Sequence, residues 1–264
     1  MSNFSFNKNP PDWKNDNINE ELKNFCKLYE NRPIKKNIGG MMFNHAFAIY
    51  FILKKTKPDL VIESGVYKGQ STWLIENTVP NAEIICLDID LSKRVYISKK
   101  AKYSNLDFKF HDFSKIPKNT LVLFDDHINH MERIKEALFF KIKHVILEDN
   151  YSSNSGDFQT IKQCYEQKSF NHKLNILSIM KTLYLFIKIL LKKKFIKRYN
   201  ACNDLYLTKN RIRDHQFYFN EFNNLDKIIK SYYEFPSLKN IDFDLKKYET
   251  ELKFYNNIAY VELI

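Results

Sequence analysis

The chain has 264 residues, of which 44% are hydrophobic, so it can bury one sizeable core and does not suggest two equal domains. Its formal net charge of +11 suits a nucleic acid, an anionic membrane surface or an anionic small molecule, but does not choose among them. The four cysteines lie far apart, which excludes a CxxC zinc pair and a dense disulfide framework and favours a cytoplasmic location.

Residues 1–57 are predicted to form an N-terminal arm followed by a helical extension. Residues 1–14 are polar and contain two adjacent prolines, so they do not resemble a signal peptide. Residues 17–30 and 41–55 carry apolar side chains at helical spacing, and Pro58 stops the second helix. This second helix either packs on the sheet or, with Gly39 and Gly40 as a hinge, forms a lid.

Residues 58–264 are predicted to form one α/β domain in which strands and helices alternate. Short apolar runs predict strands at 60–63, 84–88, 106–111, 121–124 and 145–147, and the segments between them predict helices at 71–77, 91–103 and 128–141. This alternation favours a parallel sheet with helices on both faces. Acidic residues follow several of these strands, at the edge where open α/β sheets bind ligands.

The pattern beyond residue 152 is less regular. A helix is predicted at 157–167, an extended piece at 204–208 and a last strand at 258–264. Within a basic insertion at 171–203, residues 174–198 form an amphipathic segment, and no acid occurs between Glu166 and Asp204. The segment could lie peripherally on the inner face of a membrane, pack in a homo-oligomer or cover the site.

A glycine turn joins the strand at 60–63 to the following helix. It contains Glu63, Gly65 and Gly69, in the pattern E-x-G-x-x-x-G, whereas a dinucleotide site would show G-x-G-x-x-G. S-adenosylmethionine has no pyrophosphate, and its ammonium group suits an acid such as Glu63. Together with Ser71, at the start of the next helix, these residues are candidates for binding that donor. The alternative is a plain tight turn.

Two further acids are candidates for contacts with the nucleoside part of the donor. Asp88 ends the second strand, where a carboxylate can accept bonds from both ribose hydroxyls, and Asp90 is the second choice. Asp112, after the predicted third strand, could lie near the adenine. Each of these acids could instead cap a helix.

Three segments together resemble the class I S-adenosylmethionine-dependent methyltransferases. They are 61–69 (VIESGVYKG), 121–127 (LVLFDDH) and 145–151 (VILEDNY), and the resemblance covers roughly residues 58–152. Within that class the chain is similar to the magnesium-dependent group of macrocin O-methyltransferase, the cephalosporin hydroxylase family and catechol O-methyltransferase. The resemblance implies a Rossmann-like methyltransferase fold with a mostly parallel seven-stranded sheet.

The same resemblance implies a metal site at the ends of the fourth and fifth strands. Its ligands would be Asp125 or Asp126 together with Glu148 and Asp149. Magnesium takes oxygen ligands and keeps some waters, so such a site leaves room for a substrate hydroxyl, which the ion would acidify and orient. The alternative is that these acids cap helices at the surface.

The general base is expected to be a histidine. His127 and His130 both follow the fourth strand, and His127 is favoured because it comes directly after Asp126. The catechol enzymes have a lysine shortly after their metal aspartate. That lysine has no counterpart here, because Ile128 and Asn129 occupy the corresponding part of the sequence. A purely structural role for either histidine is the alternative.

The sequence therefore predicts an O-methyltransferase that uses S-adenosylmethionine and Mg²⁺. The expected acceptor is a hydroxyl of a glycan, a nucleotide-linked sugar or a similar small molecule, which could be phosphorylated because the chain is basic. No nucleic-acid partner is expected, since the sequence shows no RNA-binding module. The positive charge is nevertheless compatible with an RNA methyltransferase. A nicotinamide-dependent oxidoreductase and a non-catalytic, membrane-associated scaffold that keeps the fold are also compatible with the sequence.

Overall fold

The protein is described by a computed structural model over residues 7–152, 155–169, 224–253, 255 and 257–264. Seven strands of the described residues form a sheet, namely β1 (Leu60–Ser64), β2 (Glu83–Leu87), β3 (Ala101–Ser104), β4 (Thr120–Phe124), β5 (His144–Leu147), β6 (Ile229–Glu234) and β7 (Ala259–Leu263). Helices in the same part of the chain include α1 (Ile18–Tyr29), α2 (Phe43–Thr56), α3 (Gln70–Thr78), α4 (His130–Phe139), α5 (Ile161–Ser169) and the short α6 (Glu249–Leu252).

The strand order is β3-β2-β1-β4-β5-β7-β6. Strands β1 to β5 pair in parallel, whereas β7 is antiparallel to both of its neighbours. The predicted mostly parallel, seven-stranded, Rossmann-like α/β sheet is therefore confirmed. Because the chain runs outward from β1 through β2 to β3 and returns at β4, the order reverses between β1 and β4, which is where such sheets bind ligands.

The central strands are buried on both faces. Along β1, Leu60 and Ile62 belong to one apolar cluster and Val61 to the other, as the two-residue period of a strand requires. One cluster includes side chains of α1, α2 and α3, and the other includes side chains of α4 and α5. Buried parallel strands read as continuous apolar runs, and these runs made β1, β4 and β5 predictable.

Helix α2 belongs to the core along most of its length. Every side chain from Phe43 to Leu53 is buried, so this helix is apolar all round rather than amphipathic. Lys57, in the left-handed conformation, ends the helix just before Pro58. The segment before the helix, residues 39–42, lines a cavity at the edge of the sheet.

The predictions for residues 91–111 were wrong. The segment predicted as a helix contains only a 3₁₀ turn at Leu91–Lys93 and then β3, and the predicted strand at 106–111 contains a second turn at Phe108–Phe110. The amides of Val95 and Tyr96 both donate to the carbonyl of Lys68 at 3.0 Å, which holds this segment extended against the glycine turn. Tertiary contacts thus override local helical spacing.

Two helices begin later than predicted, and each has a polar cap. The Asn129 side chain accepts from the Met131 amide at 2.9 Å, so α4 begins at His130 and not at 128. The Thr160 amide donates to the Gln163 side chain, and the Gln163 amide donates to the Thr160 hydroxyl. This reciprocal cap places the start of α5 at Ile161 and not at 157. Strand β6 and helix α6 were not predicted.

Some predictions fall on residues that the structure does not describe. The amphipathic segment 174–198, the insertion 171–203 that contains it, and the extended piece 204–208 all lie outside the described residues. Among the helices that are described, none is long and apolar enough to cross a bilayer.

Candidate active site

A cavity of about 560 Å³ opens at the carboxyl ends of β1, β2, β4 and β5, where the strand order reverses. Among the described residues that line it, seven are acids and one is a lysine, Lys93. The acids are Asp88, Asp90, Asp107, Asp125, Asp126, Glu148 and Asp149. Lys93 pairs with Asp90, and Arg133 behind the wall pairs with Asp107 and Asp126. The other acids leave the wall with an excess of carboxylates although the whole chain is basic, which favours a cationic ligand.

The glycine turn brings the backbone just after β1 against the backbone just after β4. Gly65 has φ +96° and donates its amide to the Leu87 carbonyl at 2.8 Å. A Cβ on Gly65 would lie 2.0 Å from the carbonyl oxygen of Asp125, so no side chain fits there. Gly69 has φ +85°, and its Cβ would lie 2.4 Å from the Tyr96 carbonyl oxygen. Both glycines are thus required by the backbone that forms the cavity wall.

Asp88 lines the cavity and also holds the glycine turn. One of its carboxylate oxygens accepts the amides of Val66 and Tyr67 at 2.8 and 2.9 Å, and the other accepts the Asp90 amide at 2.8 Å. The turn amides that could have faced a ligand are therefore donated to Asp88. Since two carboxylate oxygens can accept about four hydrogen bonds, Asp88 keeps one acceptor position for a ligand.

Glu63 lies beneath the cavity and does not line it. It is fully buried, and its Oε2 accepts from the Thr72 hydroxyl at 2.6 Å and from the Cys86 thiol at 3.1 Å. Ser71 is also buried. Burial raises the pKa of Glu63 to about 7, and the bonds from Thr72 and Cys86 oppose that rise. In this structure Glu63 and Ser71 support the turn from below.

Glu63→Gln is expected to flatten the pH dependence of stability. An acid whose pKa rises from 4.5 to about 7 on folding stabilises the fold below pH 4.5, and this contribution is lost as the pH rises through 7. The loss amounts to about 3 kcal/mol, and glutamine can still accept from Thr72 and Cys86. Urea unfolding between pH 5 and 8 measures the slope. Equal slopes for both proteins would contradict the raised pKa.

Three carboxylates converge where β4 and β5 end. Burial, followed by the nearby Asp149 carboxylate, raises the pKa of Asp125 well above its usual value. Burial, followed by Asp125 and Asp149, does the same for Glu148. Acids packed this closely share protons or require a cation, because buried like charges are costly. The donor set therefore fits a divalent metal ion.

A histidine from α2 joins this group. His45 Nδ1 lies 3.1 Å from Glu148 Oε1, and the imidazole is 7% exposed. Among the described residues, His45, Glu148 and Asp149 each offer one ligand atom, and these atoms lie within 4.8 Å of one another. His45 lies in the segment 41–55, for which the sequence predicts only a packing helix or a lid. No local pattern points to it, because about 100 residues separate it from Glu148.

Asp126 faces a different partner from Asp125. Its Oδ2 accepts from the Ser64 hydroxyl at 2.5 Å and lies 2.9 Å from Nη2 of Arg133. Arg133 is 1% exposed and also forms a two-bond ion pair with Asp107, at 3.1 and 2.7 Å. Arg133 shares its single positive charge among Asp107, Asp126 and Glu136, so Asp126 already lies against a cation. Asp125 instead lies beside the carboxylates of Glu148 and Asp149.

The two candidate histidines have different surroundings. His127 is at the cavity wall in a left-handed conformation, φ 56°, is about half exposed, and its Nδ1 lies 3.1 Å from Asp157. His130 is buried, its Nε2 lies 3.1 Å from the Glu148 carbonyl oxygen, and burial lowers its pKa to about 3. His130 is therefore neutral and contacts the end of β5, whereas His127 is open to the cavity.

Asp112 does not line the cavity. It is exposed and its carboxylate accepts from the Ser114 amide at 2.9 Å. Asp107 and Leu106 line the cavity instead, because β3 is the segment 101–104 and the turn after it passes the site. Asp112 lies away from the cavity because the third strand comes earlier than predicted.

Solved structures with similar folds have low sequence identity to this chain. An SAH-bound Podospora anserina methyltransferase is 11% identical, covers 98% of this chain and 90% of its own, and has a TM-score of 0.44. A putative O-methyltransferase from Klebsiella pneumoniae is 8% identical over 92% and 89%, with a TM-score of 0.44. A CmcI structure with Mg-SAM is 11% identical over 98% and 90%, with a TM-score of 0.40. No residue role follows from likeness of this degree.

No family model matches the chain, and no curated protein matches it either.

Proposed function

We propose that the protein is an S-adenosylmethionine-dependent O-methyltransferase assisted by a divalent metal ion. The observation that carries this proposal is the acidic cavity at the reversal of strand order, bounded by the Gly65 bend and by the carboxylates of Asp125, Glu148 and Asp149. Its volume, about 560 Å³, is within the usual range for a small-molecule site.

The charge of the cavity favours this donor over a dinucleotide. S-adenosylmethionine carries a sulfonium and an ammonium against one carboxylate, so it is a net cation, whereas a pyrophosphate is an anion. Seven acids and one lysine line the cavity. A nicotinamide dinucleotide would meet repulsion at this wall as well as lacking the third glycine of its usual turn. The charge of the wall thus supports the methyltransferase over the oxidoreductase.

Different walls of the cavity would hold different parts of the donor. The acceptor position that Asp88 retains, together with Asp90, would bind the ribose hydroxyls. Gly65 keeps the wall free of a side chain where β1 meets β4, so the methionine end can approach the backbone. Glu63, buried under the turn, would act on the donor through the position of that turn.

The acceptor would bind beside the carboxylates that end β4 and β5. A metal ion there supplies Lewis acidity that lowers the pKa of the acceptor hydroxyl. Asp125, Glu148 and Asp149 would supply oxygen ligands, and His127 at the cavity wall would take the hydroxyl proton. The carbon–sulfur bond breaks as the carbon–oxygen bond forms, which leaves S-adenosylhomocysteine and a methyl ether.

The acceptor that we propose is a hydroxyl on a glycan, a nucleotide-linked sugar or a similar small molecule. The acidic wall adds a condition, because a phosphorylated acceptor would be repelled unless the metal ion is bound. A requirement for metal in acceptor binding, and not only in turnover, would support a phosphorylated acceptor.

Calorimetry with S-adenosylmethionine and S-adenosylhomocysteine, with and without a divalent ion, tests the core proposal. We expect both to bind, and Asp88→Asn to weaken binding by about tenfold or more, since it removes a charged acceptor and loosens the turn. Asp112→Asn, outside the cavity, is the matched control and should bind as the wild type does. If neither compound binds in either condition while NAD raises the unfolding temperature, the oxidoreductase becomes the better proposal.

A further inference from the structure

We propose that His45 is a direct metal ligand and that the site consequently takes a divalent transition ion such as Mn²⁺ or Fe²⁺ in preference to Mg²⁺. This inference rests on the proposed function only in taking the carboxylates that end β4 and β5 as the metal site. It adds a nitrogen ligand from a different part of the chain and changes the expected identity of the ion.

The geometry brings the imidazole within range of the carboxylates. His45 Nδ1 is 3.1 Å from Glu148 Oε1, and one ligand atom each of His45, Glu148 and Asp149 lies within 4.8 Å of the others. Ligand atoms about 2.1 Å from an ion are about 3.0 Å apart at right angles and about 4.2 Å apart when opposite. Small rotations of these side chains would therefore bring all three ligand atoms into contact with one ion.

The fold fixes the position of His45 before any ion arrives. The neighbouring Asn44 is buried and bonds both the Leu252 carbonyl, at 3.2 Å, and the Leu238 amide, at 3.0 Å. These bonds attach the first turn of α2 to the C-terminal part of the chain. The imidazole also packs against the Tyr255 ring, with centroids 5.1 Å apart. A ligand held this way loses little freedom on binding, which favours affinity.

The ligand set decides the preference among ions. Mg²⁺ prefers an octahedron of oxygens and keeps several waters, whereas imidazole suits Mn²⁺, Fe²⁺ and the later divalent ions. His45, Glu148 and Asp149 offer one nitrogen and two carboxylates within reach of one another. If each gives one atom, three of six positions remain for water, the acceptor hydroxyl and Asp125 after a side-chain movement.

A plain histidine–carboxylate pair is the alternative arrangement. In it, His45 would only orient Glu148, and the ion would contact oxygens alone. The two arrangements differ in one measurable property, because only a direct ligand places a nitrogen nucleus on the metal.

Electron paramagnetic resonance with Mn²⁺ separates these arrangements. In the wild-type protein we expect the free-Mn²⁺ signal to fall on binding and the pulsed spectrum to show coupling to a directly bound ¹⁴N. We also expect Mg²⁺ to compete about tenfold or more less strongly than Mn²⁺. Binding of Mn²⁺ without ¹⁴N coupling, or equal affinity for the two ions, would overturn the proposal without any variant being needed.

A pair of histidine variants provides the matched comparison. His45→Gln keeps a group that can hydrogen-bond Glu148 but loses the imidazole, and we expect Mn²⁺ affinity to fall by about tenfold or more while Mg²⁺ affinity changes little. His144→Gln replaces a half-buried histidine at the opposite end of β5 and should bind both ions as the wild type does. Unchanged Mn²⁺ affinity in folded His45→Gln would refute direct ligation.

The same samples separate failure of this inference from failure of the proposed function. S-adenosylhomocysteine binding is measured in each by calorimetry without metal. If it binds and Mn²⁺ does not, the metal inference is refuted and the methyltransferase proposal stands. If Mn²⁺ binds with ¹⁴N coupling but S-adenosylhomocysteine does not, the metal inference stands and the donor assignment is refuted.

Discussion

Glu148→Gln is expected to abolish metal binding and methyl transfer while making the metal-free protein more stable. Glu148 is buried beside Asp125 and Asp149, and burial together with these acids raises its pKa well above the usual value. Glutamine fills the same space without a charge. Loss of a charged ligand and of the metal's Lewis acidity should lower Mn²⁺ affinity and turnover by about a hundredfold or more.

The gain in stability comes from the same carboxylate. Replacing one of several buried like charges by a neutral group should stabilise the metal-free protein by about 1–2 kcal/mol, or a few degrees in Tm. A raised folded-state pKa means that the Glu148 contribution to stability is lost as the pH rises, so the advantage of the variant should grow with pH. Thermal unfolding in chelator at several pH values measures this difference.

Glu83→Gln is the matched control for Glu148→Gln. Glu83 is exposed, begins β2 at the opposite end of the sheet, and pairs with Lys102 at 3.2 Å on the surface. Its replacement should change stability by less than about 0.5 kcal/mol and leave metal binding intact. Unchanged Mn²⁺ affinity in Glu148→Gln, or a lower Tm in chelator, would contradict the site as described.

Gly65→Ala is expected to be the most destabilising single-methyl addition in the turn. The added Cβ would lie 2.0 Å from the Asp125 carbonyl oxygen and 2.4 Å from its carbon, so β1 and β4 would have to separate. The φ of +96° adds backbone strain for any residue with a side chain. We expect a loss of about 4 kcal/mol or more in the free energy of unfolding, with loss of donor binding.

Gly39→Ala separates steric clash from backbone strain. Gly39 also has a positive φ, +75°, but its nearest neighbour to a new Cβ is the Tyr67 hydroxyl at 3.7 Å, an ordinary contact. Its replacement should therefore cost only about 1–2 kcal/mol. Urea unfolding of both variants measures the difference. Equal losses would mean that strain alone governs both positions and that the close approach of β1 to β4 is not required.

Much of the candidate site could be predicted because the polar residues directly follow predictable strands. The apolar runs of β1, β4 and β5 indicate buried parallel strands, and the residues just after them must then share one edge of the sheet. This reasoning selected Gly65, Asp125, Glu148 and Asp149, all of which line one cavity. The same reasoning does not distinguish Asp125 from Asp126. The two differ because Arg133, on the following helix, pairs with Asp126, and strand patterns do not predict that contact.

The errors occur where a distant part of the chain determines the local structure. The Lys68 carbonyl accepts from the amides of Val95 and Tyr96, no helix forms over 94–100, and β3 falls earlier than local spacing indicates. Asp107 and not Asp112 consequently lines the cavity. Glu63 follows the pattern of a ligand contact, yet it is buried outside the cavity wall and accepts from Thr72 and Cys86.

The sequence alone determined the sheet's central strands, the glycine turn and the acidic edge, because periodicity and turn chemistry act over a few residues. Only the tertiary structure placed Arg133 against Asp126 and set Asp125 beside Glu148 and Asp149. It also brought His45 to Glu148, since α2 is held by contacts with residues about 200 positions away. Such placements depend on long-range packing, which no local pattern encodes.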